Sequence, residues 1–225
     1  MKKIKAVIFD MDGVIVDSEP LHERAFLELF DEIGIGMNHG IDFKAYYGKS
    51  DRALLEDLIS LHRPKHSLDS LLARKRQKLI NLIQQEKPLF PEVKILLEHL
   101  KGKKLLGLAS GSPPEVIDTV LNLDGLHKYF DAIVSVEDVG KPKPAPDVFL
   151  EAAKRLRVKP EECIIIEDSV AGIEAAKRAG ILVIAITNSL PYDDLRSADY
   201  IVNDYSEIKE IISDIENKET FAIKR

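Results

Sequence analysis

The stretch Lys5-Ala6-Val7-Ile8-Phe9-Asp10-Met11-Asp12-Gly13-Val14-Ile15-Val16-Asp17-Ser18 decides the fold of this 225-residue chain. Its first half is a short, unbroken apolar run, the pattern of a strand covered on both faces in a parallel sheet. The run stops on two carboxylates one residue apart, Asp10 and Asp12, followed by Gly13 and a second apolar run. Taken alone, such a pair occurs by chance in an acidic chain, and acidic residues commonly cap the helix after a strand. At the exit of a buried strand, however, an uncompensated charge costs stability, which points to chemistry.

Working outward, five more runs read as strands: Lys104 to Ser110, Ala132 to Ser135, Cys163 to Asp168, Leu182 to Thr187 and Tyr200 to Asn203. Amphipathic stretches separate them, several with explicit end signals. Pro91 opens one helix with the stripe Val93, Leu96, Leu97 and Leu100. Ser112, Pro113, Pro114 and Glu115 read as a capping box ahead of Val116, Ile117, Val120 and Leu121. Ser169 is placed to cap a helix that ends at Gly180, and Ile208, Ile211, Ile212 and Ile215 mark a closing helix. The expectation is an α/β fold with a doubly wound parallel sheet.

Residues 19–86 interrupt that alternation, carrying helical stripes without a convincing buried strand. Leu21, Ala25, Phe26, Leu29, Phe30 and Ile33 form one face, and Leu54, Leu55, Leu58, Ile59 and Leu68, Leu71, Leu72, Leu79, Leu82, Ile83 form others. We expect residues 1–18 and 87–225 to build the sheet domain and 19–86 to form a helical domain inserted after the first strand.

Composition bounds the function class. The chain has 45% apolar and 31% charged residues and a net charge of -6, without a concentrated basic face, which argues against nucleic-acid binding. No run approaches the roughly 20 apolar residues of a membrane span, and the lysines at 2, 3 and 5 lead straight into a strand rather than a signal peptide. The lone Cys163 lies in an apolar run and reads as an inert buried thiol in a reducing, cytoplasmic setting. The expected partner is a small molecule, with no nucleic acid and no membrane, and the chain is read as a monomer.

In open parallel sheets the ligand crevice lies at the carboxyl ends of the strands. There stand Asp10 and Asp12, then Ser110 and Gly111, Glu167 and Asp168, and Thr187, with Lys141 and Lys143 in the loop after the third strand. Several carboxylates at one sheet edge repel unless a cation neutralises them, and an all-oxygen ligand set suits Mg2+.

At this point a resemblance becomes specific. Asp10-Met11-Asp12-Gly13-Val14-Ile15-Val16-Asp17-Ser18 resembles the first motif of haloacid dehalogenase superfamily phosphotransferases, Leu108-Ala109-Ser110-Gly111-Ser112 the second, Lys143-Pro144-Ala145-Pro146-Asp147 the third, and Ile166-Glu167-Asp168-Ser169-Val170-Ala171-Gly172 the fourth. With the helical insert, the pattern is similar to the β-phosphoglucomutase-like subgroup. The resemblance implies Asp10 as nucleophile, Asp12 as general acid and base, Lys143 as the balancing cation, and Ser110 and Gly111 as the phosphate-binding turn. It also implies Mg2+ held by Asp10, the Asp12 carbonyl and Asp168, with Glu167 as a direct ligand, a water-mediated ligand or a source of negative potential.

The implied activity is Mg2+-dependent hydrolysis of a small phosphomonoester, a sugar phosphate above others, through an aspartyl-phosphate. The alternative is a β-phosphoglucomutase interconverting β-glucose 1-phosphate and glucose 6-phosphate. A true haloacid dehalogenase would need neither Asp12 nor a metal site, and a receiver-type signalling module would be half this length. Substrate choice falls to the helical insert. His22 reads either as a partly buried surface histidine or as a substrate contact. In the basic run Arg74, Lys75, Arg76, Lys78, ordinarily a solvated face, Lys75 falls on the apolar register, so a cation there, Lys75 or Arg76, can turn toward the site. Gly48-Lys49-Ser50-Asp51-Arg52 resembles the subgroup's substrate-specificity loop, but Asp51 stands where the mutases carry arginine, with Arg52 displaced by one residue, which favours a hydrolase.

Overall fold

The computed structural model describes residues 3–46 and 50–223. The apolar run from Lys5 forms the first strand, β1 (Ala6–Phe9), at the centre of a sheet with β2 (Leu105–Ser110), β3 (Ala132–Ser135), β4 (Cys163–Glu167), β5 (Leu182–Ile186) and β6 (Tyr200–Val202). Every pairing is parallel and the order is β3-β2-β1-β4-β5-β6. The chain winds outward from β1 to one side, then returns to wind out on the other. Such a reversal leaves a crevice beside the central strand. Phe9 is in register with Leu108 on one side and Ile166 on the other, so Asp10, Ser110 and Glu167 leave the sheet at one edge. All six expected runs are strands, most of them ending one residue short of the polar residues at their exits.

Alternate side chains enter opposite layers, as strand geometry requires. Val7, Phe9, Leu106, Leu108, Ile164 and Ile166 face one core, while Ala6, Ile8, Ala109, Cys163 and Ile165 face another. The first layer is closed by α4 (Pro91–Leu100), α5 (Pro114–Asn122) and α9 (Tyr205–Ile223); the second by α7 (Asp147–Arg155) and α8 (Val170–Ala179), with short α6 (Val136–Val139) preceding α7. Ser169 caps α8 as its position suggested, its hydroxyl accepting the Gly172 amide at 3.1 Å. Cys163 is buried and its thiol pKa is pushed up to about 12, chiefly by burial, as expected of an inert side chain.

Residues 19–86 supply α1 (Glu19–Glu32), α2 (Asp51–His62) and α3 (Leu68–Glu86). They enclose a third cluster of Phe26, Leu29, Phe30, Leu54, Leu55, Leu58 and Leu71. The stripes on α1 and α3 are longer than this cluster needs: Leu21 and Ala25 of α1, and Leu79, Leu82 and Ile83 of α3, pack into the sheet's own core. The helical layer is therefore rooted at its base. No helix among the described residues is long and apolar enough to cross a membrane.

One expectation is overturned. Ser112 does not cap α5: Pro113 takes the cap position and no side chain satisfies the helix end there. The reason is local. The Ser112 amide donates to the Ser110 hydroxyl at 2.9 Å, a tight turn that swings the Ser112 hydroxyl away from the helix and onto Asp12.

Candidate active site

Asp10 and Asp12 leave β1 through a turn that is held from several directions. Gly13 has φ +76°, and a Cβ there would fall 1.8 Å from an Asp168 oxygen, so glycine lets the β1 turn approach the β4 exit. Asn188 donates to the Gly13 carbonyl and the Tyr205 hydroxyl to the Val14 carbonyl, at 2.8 and 2.7 Å. The backbone that carries the two aspartates is thus tied to the loop after β5 and to α9.

Lys143 reaches into this edge and donates to Asp10 Oδ1 and to Glu167 Oε1, 2.6 Å each, with its ammonium 4.9 Å from the Phe149 ring centroid. Glu167 is fully buried, and its second oxygen accepts from the amides of Asp168 and Ser169 and from the Ser169 hydroxyl at 2.8, 2.8 and 2.9 Å. Both oxygens are thus occupied by protein donors, and Glu167 anchors Lys143 on one side and the β4 exit on the other. Lys141, by contrast, is exposed on its loop.

Carboxylate oxygens of Asp10, Glu167 and Asp168 all lie within 4.8 Å of one another and all three residues are buried. Burial first, then their mutual repulsion, raises the pKa of Asp10 and Asp168 well above the usual carboxylate range, against the pull of Lys143. Lys143 is itself raised: burial opposes its charge, but Asp10 and Glu167 outweigh that. The directions agree physically, because one ammonium cannot neutralise three buried carboxylates. This deficit, in an all-oxygen donor set, fits a divalent cation such as Mg2+.

Asp12 has a different environment. Its Oδ1 accepts from the Ser18 hydroxyl at 2.6 Å, and Oδ2 from the Ser112 hydroxyl at 2.8 Å, with Ser110 Oγ at 3.4 Å. Burial works to raise its pKa, but His22 and these hydroxyls prevail and hold it at about 2. His22 lies on α1 with Nε2 3.8 Å from Asp12 Oδ1 and Nδ1 3.6 Å from Asp51 Oδ1, so its ring spans the gap between the two carboxylates. Burial and Lys75 oppose a charge on this ring; Asp12 and Asp51 overcome them and push its pKa up to about 9. Lys75 Nζ stands only 2.7 Å from His22 Nδ1.

A cavity of about 490 Å3 lies between the strand exits and the helical layer. Asp10, Asp12, Gly111, Lys143, Asp168, His22, Arg52 and Arg76 reach its wall; Ser110 is fully buried behind it, turned to Ser112 and Asp12. Lys75 is turned inward as its register suggested, yet it is fully buried and donates to Asp51 Oδ2 at 2.8 Å rather than lining the cavity. Arg52 lies near Glu56 and Asp69, at 3.9 and 3.6 Å, and Arg76 reaches across to Glu115 and Glu137 at 3.2 and 3.8 Å. Lys49 falls outside the described residues. Sequence reasoning passed over Ser18 and Ser112 as partners of Asp12. The signal for Ser112 was present, two residues beyond the β2 exit, but was assigned to helix capping.

The comparisons with known proteins agree with this geometry. A haloacid dehalogenase-like hydrolase family model matches residues 4–180. Hexitol phosphatase B of Escherichia coli (strain K12) is 35% identical over 189 residues, 82% of this chain and 84% of that protein. The chloroplastic protein SUPPRESSOR OF QUENCHING 1 of Arabidopsis thaliana is 37% identical over 202 residues, 87% of this chain but 19% of that much longer protein. Among solved structures, a β-phosphoglucomutase from Clostridium difficile superposes with TM-score 0.78 at 29% identity, covering 94% of this chain and 98% of that one. The chain belongs to the haloacid dehalogenase-like hydrolase family.

Proposed function

We propose that this protein is a phosphatase that hydrolyses small phosphomonoesters, sugar or polyol phosphates foremost, through an aspartyl-phosphate on Asp10. The observation that carries the reading is Lys143, held at 2.6 Å from both Asp10 and Glu167 beside Asp168 at one strand edge. An anionic nucleophile can approach an anionic phosphate only where charge is neutralised in advance. The similarity to hexitol phosphatase B supports a sugar or polyol phosphate as substrate class.

In this reading Asp10 attacks phosphorus; a carboxylate oxygen–phosphorus bond forms as the ester bond to the leaving oxygen breaks. Asp12 is a carboxylate in the free protein, and a bound phosphate dianion favours its protonated form, so it takes up a proton on substrate binding. It gives that proton to the leaving oxygen, then removes one from the water that releases phosphate and frees Asp10. Ser18 and Ser112 hold Asp12 in place, with the His22 ring beside it. Asp10 and Asp168, with Glu167 behind them, would hold Mg2+, which would supply positive charge against the phosphate. Helices α1, α2 and α3 act as a lid over the cavity, rooted by α1 and α3, and exclude bulk water from the acyl-phosphate.

A mutase reading finds less support, because Asp51 occupies the loop position next to Ser50 and Arg52 is engaged with Glu56 and Asp69. The test is phosphate release by the purified protein with Mg2+ from a panel of sugar phosphates. We expect turnover of monophosphates. Faster isomerisation of β-glucose 1-phosphate than phosphate release would establish the mutase instead, and halide release from a haloacid would establish a dehalogenase.

A further inference from the structure

The turn that carries Asp12 is held from the far side of the sheet by one buried hydroxyl. Tyr205, the first residue of α9, is 5% exposed; its hydroxyl donates to the Val14 carbonyl at 2.7 Å. The same oxygen accepts from Asn188 Nδ2 at 2.8 Å, and Nδ2 also donates to the Gly13 carbonyl at 2.8 Å. Burial raises the pKa of the Tyr205 hydroxyl, so it keeps the proton it donates.

We propose that Tyr205, backed by Asn188, is the positioning residue for Asp12: it fixes the turn so that the Asp12 carboxyl meets the leaving oxygen. This assignment rests on the phosphatase reading above and goes beyond it.

Three observations carry it. Asp10 and Asp12 are anchored differently. Asp10 continues the strand ladder, its amide donating to the Ile166 carbonyl at 2.9 Å, and its carboxylate accepts from Lys143. Asp12 lies past the ladder, in a turn whose amides at Val14, Ile15 and Val16 converge on the Met11 carbonyl at 3.2, 2.7 and 3.1 Å. Those bonds shape the turn but move with it. Ser112 holds the tip of the Asp12 side chain, whereas Tyr205 and Asn188 hold the backbone beneath it.

The turn also runs directly into the lid. The Asp17 amide donates to the Pro88 carbonyl at 2.8 Å and the Phe90 amide to the Ile15 carbonyl at 3.2 Å, so the outgoing and returning chains form a two-stranded ribbon. Movement of the lid is thus applied to the residues that follow Asp12. Tyr205 meets both strands of the ribbon, through its hydroxyl on Val14 and its ring 6.0 Å from the Phe90 ring centroid. Finally, the Tyr205 ring belongs to the sheet's apolar core, where a phenylalanine would fill the same space. The hydroxyl serves the Val14 carbonyl, a buried acceptor that needs a donor.

The experiment compares kcat/KM, which reports phosphorylation of Asp10, for two leaving groups. The best substrate among sorbitol 6-phosphate, fructose 1-phosphate and glucose 6-phosphate needs the Asp12 proton, whereas p-nitrophenyl phosphate expels a stable phenolate without it. In Y205F, kcat/KM should fall about 10–100-fold for the sugar phosphate and less than about threefold for p-nitrophenyl phosphate. N188A should show the same selectivity, and Y205F/N188A should lose less than the product of the single losses, because both side chains hold one turn. If Y205F fails to fold, as circular dichroism will show, N188A, at an exposed position, carries the test. A purely structural defect lowers both substrates alike, so an unchanged ratio of the two kcat/KM values in the folded variant overturns the assignment. No phosphate release by the wild type from any of the four compounds overturns the phosphatase reading, and the assignment with it.

Discussion

The carboxylate of Glu167 occupies the space that a side chain on Gly172 would need: a Cβ at Gly172 would lie 1.6 Å from Glu167 Oε1. The two residues sit at opposite ends of the turn from β4 into α8, and that turn closes only because position 172 is empty. G172A therefore forces Glu167 off Lys143 and off the amides of Asp168 and Ser169. Overpacking and a broken buried ion pair together should cost about 3–5 kcal/mol. In a thermal melt this lowers Tm by roughly 6–15 °C, and an unchanged Tm would show that the turn relaxes freely.

Asp10 and Asp12 should fail differently. D10N keeps size and burial but removes the attacking charge, so turnover should fall by at least about 10^3-fold. D12A should lower kcat by about 10^2–10^4-fold while Asp10 can still be phosphorylated by a substrate with a good leaving group, such as p-nitrophenyl phosphate. Steady-state rates on that substrate and on a sugar phosphate separate the two, and equal losses on both would remove Asp12 from acid catalysis.

The charge deficit among Asp10, Glu167 and Asp168 predicts that Mg2+ stabilises the fold as well as the reaction. At 100 times its dissociation constant a cation bound to the folded state alone adds about 2.7 kcal/mol. Chelation should therefore lower Tm of the wild type by several degrees, and D168N should lose most of that Mg2+-dependent shift. A D168N protein with the full shift would place the cation elsewhere.

Asp51 predicts a dependence of stability on pH. Burial raises its pKa, but Lys75 and His22 prevail and hold it below the ordinary carboxylate value. A depressed folded-state pKa means that its stabilisation is complete above the unfolded value of about 4 and is lost as pH falls below it. With its side chain about one-third exposed, screening reduces the effect to about 1–2 kcal/mol. The Tm difference between wild type and D51N should be present at pH 7 and should shrink at pH 3; a difference that grows on acidification contradicts the pairing.

Much of this molecule was legible in the chain. Strands buried on both faces are unbroken apolar runs, so the sheet could be counted from sequence, and each run ended on the polar residue it delivers to the crevice. Asp10 and Asp168 were visible for that reason, with Asp12 two residues past Asp10, whereas Lys143, in the loop after the third strand, was singled out by the motif it heads. Lys75 was visible as a basic residue on an apolar register, because helical periodicity is a local property.

What tertiary structure alone decided is where side chains separated in sequence point once the elements are packed. Ser112 was read as a helix cap because its local pattern satisfies one; the turn through Ser110 sends its hydroxyl to Asp12, 100 residues away. Lys75 meets Asp51 across 24 residues only because α2 and α3 pack side by side, which turned an expected substrate cation into the support of a carboxylate. Periodicity and strand ends belong to neighbouring residues and can be read along the chain. Hydrogen bonds, ion pairs and the charge balance of a cavity depend on distances of a few ångströms between elements, and those exist only after the helices have docked on the sheet.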